Sequence, residues 1–308
     1  MNSLQVLEEQ VDLIRYWMSP RGVSYANGYL RSLDKTGDTS FGPEWDAQFL
    51  AQNEALRIDR AETYWVHADM VDLMVHAAES FPTSALQEID LPTPSGFVWL
   101  DKSFFTTDLR EEQIGTRAFA WSHARMMAGL KEVPGVQITF YSWRDDQDDE
   151  GLRNISEDNR RHLPKLLLWH HVHVPFGVEP PAVENVGGMT KTVRAFWRFV
   201  QQKLPNNEPR RLDRPTRKRL DRTGYLYRQQ EVRVISLRAR EYAPRNDEGV
   251  SEGREVAWSH RWIQRGHWGK RHCKCHPEGF HVTWVKPGVK GPADRPLIVK
   301  DRVFRWNR

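Results

Sequence analysis

Apolar residues recur at helical spacing through the first ninety residues of the chain. Five of them lie three or four positions apart and predict a first helix over residues 4–18: Leu4, Leu7, Val11, Ile14 and Met18. A second helix is predicted over 46–66. A third starts near Asp69, a residue type favoured at helix N-caps, and ends at Pro82. Residues 19–44 hold two prolines and four glycines, which favour a loop.

The pattern changes after residue 91, where short runs rich in Val, Ile, Phe, Tyr and Trp are separated by turn residues. The runs GFVWL, RAFAWSH, VQITFYSW and LLLWHHVHVPFG predict strands. An amphipathic helix is predicted over 190–204, and the last hundred residues are again rich in strand-like runs. The sequence therefore predicts an α+β fold. It has a helical amino-terminal region, then a mixed, largely antiparallel strand-rich body with one amphipathic helix near 190–204.

Charge divides the chain into unequal parts. Residues 1–189 carry 16 Lys and Arg against 29 Asp and Glu, a net charge of −13, whereas residues 190–272 carry +12 and residues 273–308 carry +5. The predicted regions are 1–90, mainly helical and acidic; 91–189, strand-rich and acidic; and 190–308, with a basic helix, a basic arm and a strand-rich end. Such asymmetry indicates a polyanionic partner for the basic part, unless the acidic part neutralises it within the molecule.

Two basic stretches supply the candidate phosphate contacts. The first, NNEPRRLDRPTRKRLDRTG at 206–224, is too charged to pack and is predicted to be an exposed arm or linker. The second, VAWSHRWIQRGHW at 256–268, is interpreted as one strand with a cationic face. Guanidinium groups match phosphate oxygens with several donors. The candidate nucleic-acid-binding residues are Arg210, Arg211, Arg214, Arg217, Lys218, Arg219, Arg222, Arg261, Arg265, Lys270 and Arg271.

Histidines and cysteines crowd the stretch RHCKCHPEGFH at 271–281. A zinc site is one interpretation, and its ligands would be His272, Cys273, Cys275 and His276. A hairpin turn is the alternative, favoured by the proline and the glycine of this stretch, so no metal and no cofactor are predicted. A disulfide between cysteines separated by one residue would be strained, and two reduced thiols in a cytoplasm are expected instead.

Catalytic motifs are scarce in this sequence, which has neither a Walker loop nor the GxSxG turn of serine hydrolases. Metal-independent RNA cleavage needs a base, an acid and a cation at the phosphate. Arg265, His267 and His272 have side chains of suitable type. No catalytic residue is assigned, and this set is the alternative. His171 and His173 share a strand face and are interpreted as half-buried histidines, with metal binding as their alternative.

Five stretches towards the carboxyl terminus occur in a fixed order: FWRFVQQKL, VRVISLR, WSHRWIQRGHW, VKGP and PLIVKDRVFRW. In this order of elements the chain resembles a family of uncharacterised proteins from actinobacteria, their plasmids and their phages. The resemblance carries no known activity, so no catalytic role transfers from it. It implies a phage, plasmid or host-defence setting and a cytoplasmic location.

Together these observations predict a nucleic-acid-binding protein that grips phosphates with its basic carboxyl-terminal half. The acidic amino-terminal half is a candidate surface for a protein partner. No apolar run reaches the roughly 18–20 residues of a membrane-spanning helix, so no membrane partner is predicted. The alternatives are a metal-independent endoribonuclease-like toxin and a module that inhibits a host complex by protein interaction.

Overall fold

The computed structural model describes residues 3–36, 46–107, 113–128, 131–145, 163–178, 184–202, 205–211, 213–221, 231–237, 261–264, 266–292 and 295–296. The chain divides into two compact units, Met1–Leu237 and Arg238–Arg308, and each is described by itself. None of the helices in these ranges combines the length and the apolar character that crossing a membrane requires.

A seven-stranded sheet forms the centre of the first unit. Its strands are β1 (Glu62–Val66), β2 (Ser95–Thr107), β3 (Gln113–Ala128), β4 (Lys131–Trp143), β5 (Leu166–Pro175), β6 (Pro205–Arg211) and β7 (Glu231–Leu237). Their order across the sheet is β5-β4-β3-β2-β1-β7-β6. β1 lies parallel to β2 and β7, whereas the other neighbouring strands are antiparallel. The predicted α+β class with a mixed, largely antiparallel sheet is therefore confirmed.

Helices cover both faces of this sheet. They are α1 (Ser3–Trp17), α2 (Pro20–Thr36), α3 (Ala47–Arg60), α4 (Ala68–Glu79), α5 (Glu184–Gln201) and α6 (Arg214–Asp221). On one face, Trp17 of α1 belongs to the same buried cluster as Trp99 of β2. On the other face, α4 packs beside α5, and the ring of Phe196 meets Tyr64 of β1 edge-on at 5.5 Å. Because strand residues alternate in direction, each strand packs against both helix layers.

The expected loop over 19–44 is wrong, because Pro20–Thr36 forms α2. Proline is tolerated in the first turn of a helix, so Pro20 starts α2 instead of preventing it. Gly22 serves a close contact between helices, because a Cβ there would lie 2.3 Å from the backbone oxygen of Tyr16. Both residues were read as loop signals, whereas the fold uses them to join α1 tightly to α2.

The predicted helix over 46–66 also extends too far. Its start is correct, since Asp46 caps α3 by accepting a hydrogen bond from the backbone N–H of Phe49 at 2.7 Å. The helix ends at Arg60, and the β-branched and aromatic run that follows forms β1. Asp69, predicted as the next N-cap, lies instead in the first turn of α4.

The predicted basic arm is an ordered part of the first unit. β6 pairs with β7 in register from Pro205 opposite Leu237 to Arg211 opposite Glu231, and α6 follows. The expectation that this stretch does not pack is therefore wrong for 205–211 and 213–221. Backbone hydrogen bonds to β7 order the strand, and such bonds need no apolar side chains. The sheet consequently contains strands from all three predicted regions of the chain.

Two short antiparallel ribbons make up the described part of the second unit. β8 (Trp262–Gln264) pairs with β11 (Gly288–Lys290), and β9 (His267–His272) pairs with β10 (Phe280–Val285). The prediction of one strand over 256–268 is wrong, since β8 and β9 belong to different ribbons; its first residues, 256–260, lie outside the described part. Gly266 separates the two strands, and a Cβ there would lie 2.3 Å from Cζ2 of Trp284.

Candidate nucleic-acid interface and cysteine–histidine turn

Exposed cations follow one edge of the large sheet. We call β6 and α6 together the basic segment. Arg210 and Arg211 end β6, which is the outermost strand, and both side chains are exposed. On α6 the exposed side chains of Arg214, Arg217 and Lys218 have the spacing i, i+3, i+4 and therefore share one helix face. A rise of about 1.5 Å per residue places these three within about 6 Å along the helix axis.

Intramolecular ion pairs engage little of the basic segment. Arg211 lies 3.6 Å from Glu231, yet 87% of the Arg211 side chain is exposed. Exposed pairs of this kind contribute about 0–1 kcal/mol, so Arg211 can exchange its carboxylate for a phosphate at little cost. Arg210 and the three cations of α6 form no ion pair with a carboxylate in the described ranges.

The arginines of α5 are in the opposite situation. Arg194 and Arg198, on the polar face of the predicted amphipathic helix, are only 9% and 7% exposed. Nη2 of Arg198 donates to Oδ1 of Asp90 at 2.5 Å, and Nη1 of Arg194 donates to the backbone oxygen of Ser84 at 2.9 Å. These two arginines therefore hold the segment around residues 84–90 in place and are already engaged within the fold.

The second unit places its described candidate cations on more than one surface. Lys270 and Arg271 are exposed and consecutive on β9, so they point to opposite faces of the ribbon. Nζ of Lys270 lies 4.2 Å from the ring centroid of Phe280, and Arg261 is half-buried. The remaining candidate side chains lie outside the described part of the structure: Arg219, Arg222 and Arg265.

β9 also separates the two histidines of the catalytic alternative. His267 is opposite Val285 and His272 is opposite Phe280, an offset of five residues that puts the imidazoles on different faces. A base and an acid that act on one phosphate need to reach it from the same side. The ribbon does not bring these two histidines together.

The turn between β9 and β10 gathers sulfur and imidazole groups. A disulfide joins Cys273 to Cys275, so the expectation of two separate thiols is wrong for this structure. The turn brings their Cα atoms to 5.4 Å, within the ordinary range for disulfides. Sγ of Cys275 lies 3.1 Å from Nε2 of His281, and the metal-ligand atoms of all three residues lie within 4.8 Å of one another. His281 was missing from the predicted ligand set because β10, the opposite strand, supplies it.

His171 and His173 share a sheet face, as their spacing predicts. His171 is buried, and its Nδ1 lies 2.7 Å from the hydroxyl of Tyr29 in α2. The imidazole centroids of the two histidines are 5.5 Å apart. Within the described residues, the cysteine turn is the one place where three metal-ligand side chains converge, so this histidine pair is interpreted as part of the helix–sheet packing.

A buried polar cluster joins α3 to the sheet. Glu54 accepts from Nη1 of Arg57 at 2.5 Å and from the hydroxyl of Tyr141 at 2.7 Å. Arg57 also donates to the hydroxyls of Thr139 and Ser122, each at 2.8 Å. Burial, with the neighbouring Glu54 carboxylate, raises the pKa of Tyr141 well above its ordinary value. The cluster fixes α3 against β3 and β4, and the helical pattern gave no sign of it.

Comparisons with known proteins give little support to any assignment. No protein-family model matches the chain, and no curated protein does. Among solved structures it is similar to the crystal structure of AcrVA2, with 13% sequence identity and a TM-score of 0.42 over 85% of this chain and 82% of that one. A TM-score at this level supports no inference about fold or function, so the functional argument depends on the residues themselves.

Proposed function

We propose that this chain is a nucleic-acid-binding protein that grips phosphates with the basic segment. The observation that carries the proposal is the contrast between two sets of cations in the same unit. Arg194 and Arg198 of α5 are buried on partners of their own fold. All five described cation side chains of the basic segment are exposed, and four of them have no carboxylate partner in the described ranges.

The arrangement of these cations suits an extended polyanion. Arg214, Arg217 and Lys218 form one stripe on α6, and Arg210 and Arg211 precede it directly on the edge strand. Arginine donates several hydrogen bonds in a planar fork to phosphate oxygens, and each contact releases counterions from the nucleic acid. The other proposed contacts extend the set: Arg219, Arg222, Arg261, Arg265, Lys270 and Arg271.

The setting we propose is the cytoplasm of a bacterium that carries a phage, plasmid or host-defence system. The order of carboxyl-terminal sequence elements, which resembles that of the actinobacterial and phage family, supports this setting. The net charge of −13 over residues 1–189 supports a protein partner for the acidic half.

A charge-neutralised variant tests the proposal. Arg214→Gln, Arg217→Gln and Lys218→Gln are combined in the full-length chain, and fluorescence anisotropy measures binding to labelled single-stranded RNA and duplex DNA. We expect the affinity of the variant to fall about tenfold or more, on the basis of about 0.5 kcal/mol for each exposed charge contact. Because the contacts are to phosphate, the loss is expected to be similar for different base sequences.

The matched control removes the same amount of charge elsewhere. Arg21, Arg31 and Arg60 are exposed cations of the amino-terminal helices, and the triple Gln variant changes net charge equally. We expect its affinity to stay within about twofold of the unmodified chain, since general charge effects are screened over about 10 Å. Equal losses in both triple variants, or no binding by the unmodified chain, would contradict the proposal.

A further inference from the structure

The cysteine–histidine turn has the donor set of a metal site. Sγ of Cys273, Sγ of Cys275 and a ring nitrogen of His281 lie within 4.8 Å of one another. Zinc in proteins binds thiolate sulfur at about 2.3 Å and imidazole nitrogen at about 2.0–2.1 Å, so donors bound to one ion stand about 3–4 Å apart. The three side chains therefore need only small movements to share one ion.

Backbone hydrogen bonds hold this turn in shape. The N–H of Cys273 donates to the carbonyl of Gly279 at 2.9 Å, and the N–H of Gly279 donates to the carbonyl of His276 at 2.8 Å. Gly279 has a φ of 73°, in the left-handed region that glycine occupies without strain. The two cysteines and the first residues of β10 are thus positioned by the turn itself, before any ion binds.

We propose that Cys273, Cys275 and His281 bind a zinc ion when the two cysteines are reduced. A dithiol reductant supplies two electrons and two protons to the disulfide, which yields two thiols while the reductant becomes a disulfide. Each thiol then releases its proton as its sulfur binds zinc, and the neutral imidazole binds through Nε2. The disulfide and the zinc complex are alternative states of the same turn, since one sulfur pair cannot form both.

The register distinguishes these ligands from the two neighbouring histidines. His281 is opposite Arg271, whereas His272 is opposite Phe280 and so points to the other face of the ribbon. Nδ1 of His276 accepts a hydrogen bond from the N–H of Glu278 at 3.2 Å, and His276 does not belong to the group of converging donor atoms. Three protein ligands leave the fourth tetrahedral position to solvent, as in zinc sites that bind an exchangeable ligand.

Metal titration of the full-length chain tests this site directly. The protein is kept reduced with a phosphine, stripped with a chelator, and titrated with zinc or with cobalt as a spectroscopic substitute. We expect one zinc per chain by mass spectrometry and a thiolate-to-cobalt charge-transfer band. Cys273→Ser, Cys275→Ser and His281→Ala are each expected to weaken zinc binding more than about 100-fold, beyond the 10–100-fold that loss of a ligand's hydrogen-bond partner typically causes.

His272→Ala is the matched control, because it removes an adjacent imidazole from the opposite face and is expected to leave zinc affinity unchanged. A second measurement needs no variant: zinc is expected to slow alkylation of the two thiols in the reduced, unmodified chain. Failure of reduced protein to take up zinc, or equal affinity in Cys275→Ser and the unmodified chain, overturns the proposal. Neither outcome bears on phosphate binding by the basic segment, which lies in the other unit.

Discussion

The buried cluster of Glu54, Arg57 and Tyr141 makes a strong prediction about stability. Glu54 is fully buried, and its two carboxylate oxygens each accept a hydrogen bond, one from Arg57 and one from Tyr141. Replacing Arg57 by Met leaves a buried carboxylate without its counter-charge. Removing one partner of a buried ion pair costs about 3–5 kcal/mol, and we expect a loss of that size in the free energy of unfolding.

The double variant Glu54→Leu with Arg57→Met is expected to be more stable than Arg57→Met alone. Removing both charges avoids the cost of an unpaired buried ion, and what remains is mainly the Tyr141 hydroxyl without its acceptor, about 1–3 kcal/mol. Urea unfolding followed by circular dichroism measures all variants. Arg125→Met is the exposed control, because Arg125 lies 3.4 Å from Glu132 with 79% of its side chain accessible. We expect this control to lose under about 1 kcal/mol.

The reasoning depends on coupling between the two charged residues. If the double variant loses as much stability as the two single variants added together, Glu54 and Arg57 do not compensate each other. An Arg57→Met variant that unfolds at the same urea concentration as the unmodified chain would show that this site is hydrated or not formed.

Three further changes test other parts of the first unit. Asp90→Ala leaves Arg198 buried without its carboxylate and is expected to lower the free energy of unfolding by about 3–5 kcal/mol in urea, whereas no change would mean that α5 does not depend on this pair. Gly96→Ala puts a Cβ 2.1 Å from Cη2 of Trp121 and is expected to lower the melting temperature through a loss of about 1–3 kcal/mol, unless the indole has room to move. The raised pKa of Tyr141 makes its neutral form a source of stability that is complete below about pH 10, where the unfolded chain starts to lose the proton, and declines as pH rises towards the folded value. Tyr141→Phe is expected to make that alkaline decline shallower by up to about 1.4 kcal/mol per pH unit in urea titrations, and an unchanged slope would contradict it.

Periodicity predicted the elements whose stability comes from one apolar face. α1 and the long strands β2 to β5 are such elements, because burial against the core dictates their spacing. α2 was missed because Pro20 and Gly22 signal loops locally, and the close contact between Gly22 and Tyr16 exists only once α1 is in place. β6 was missed because its order comes from backbone pairing with β7.

The candidate sites show the same division. Exposure of the basic segment followed from its charge, since so many cations cannot be buried together. Burial of Arg194 and Arg198 did not follow, because their partners are a distant carboxylate and a distant serine. The metal-type cluster needed the pairing of β9 with β10, which brings His281 to the cysteines in place of the sequence-adjacent His272.

The salt dependence of nucleic-acid affinity tests the central proposal most directly. If each of the five exposed cations of the basic segment neutralises one phosphate of duplex DNA, the logarithm of affinity falls with the logarithm of salt at a slope of about −4.5 or steeper. A fourfold rise in salt then weakens binding about 500-fold, and the Arg214, Arg217 and Lys218 triple Gln variant reduces the slope by about 2.7. A slope shallower than about −1, or one that the triple variant leaves unchanged, would contradict phosphate binding by the basic segment.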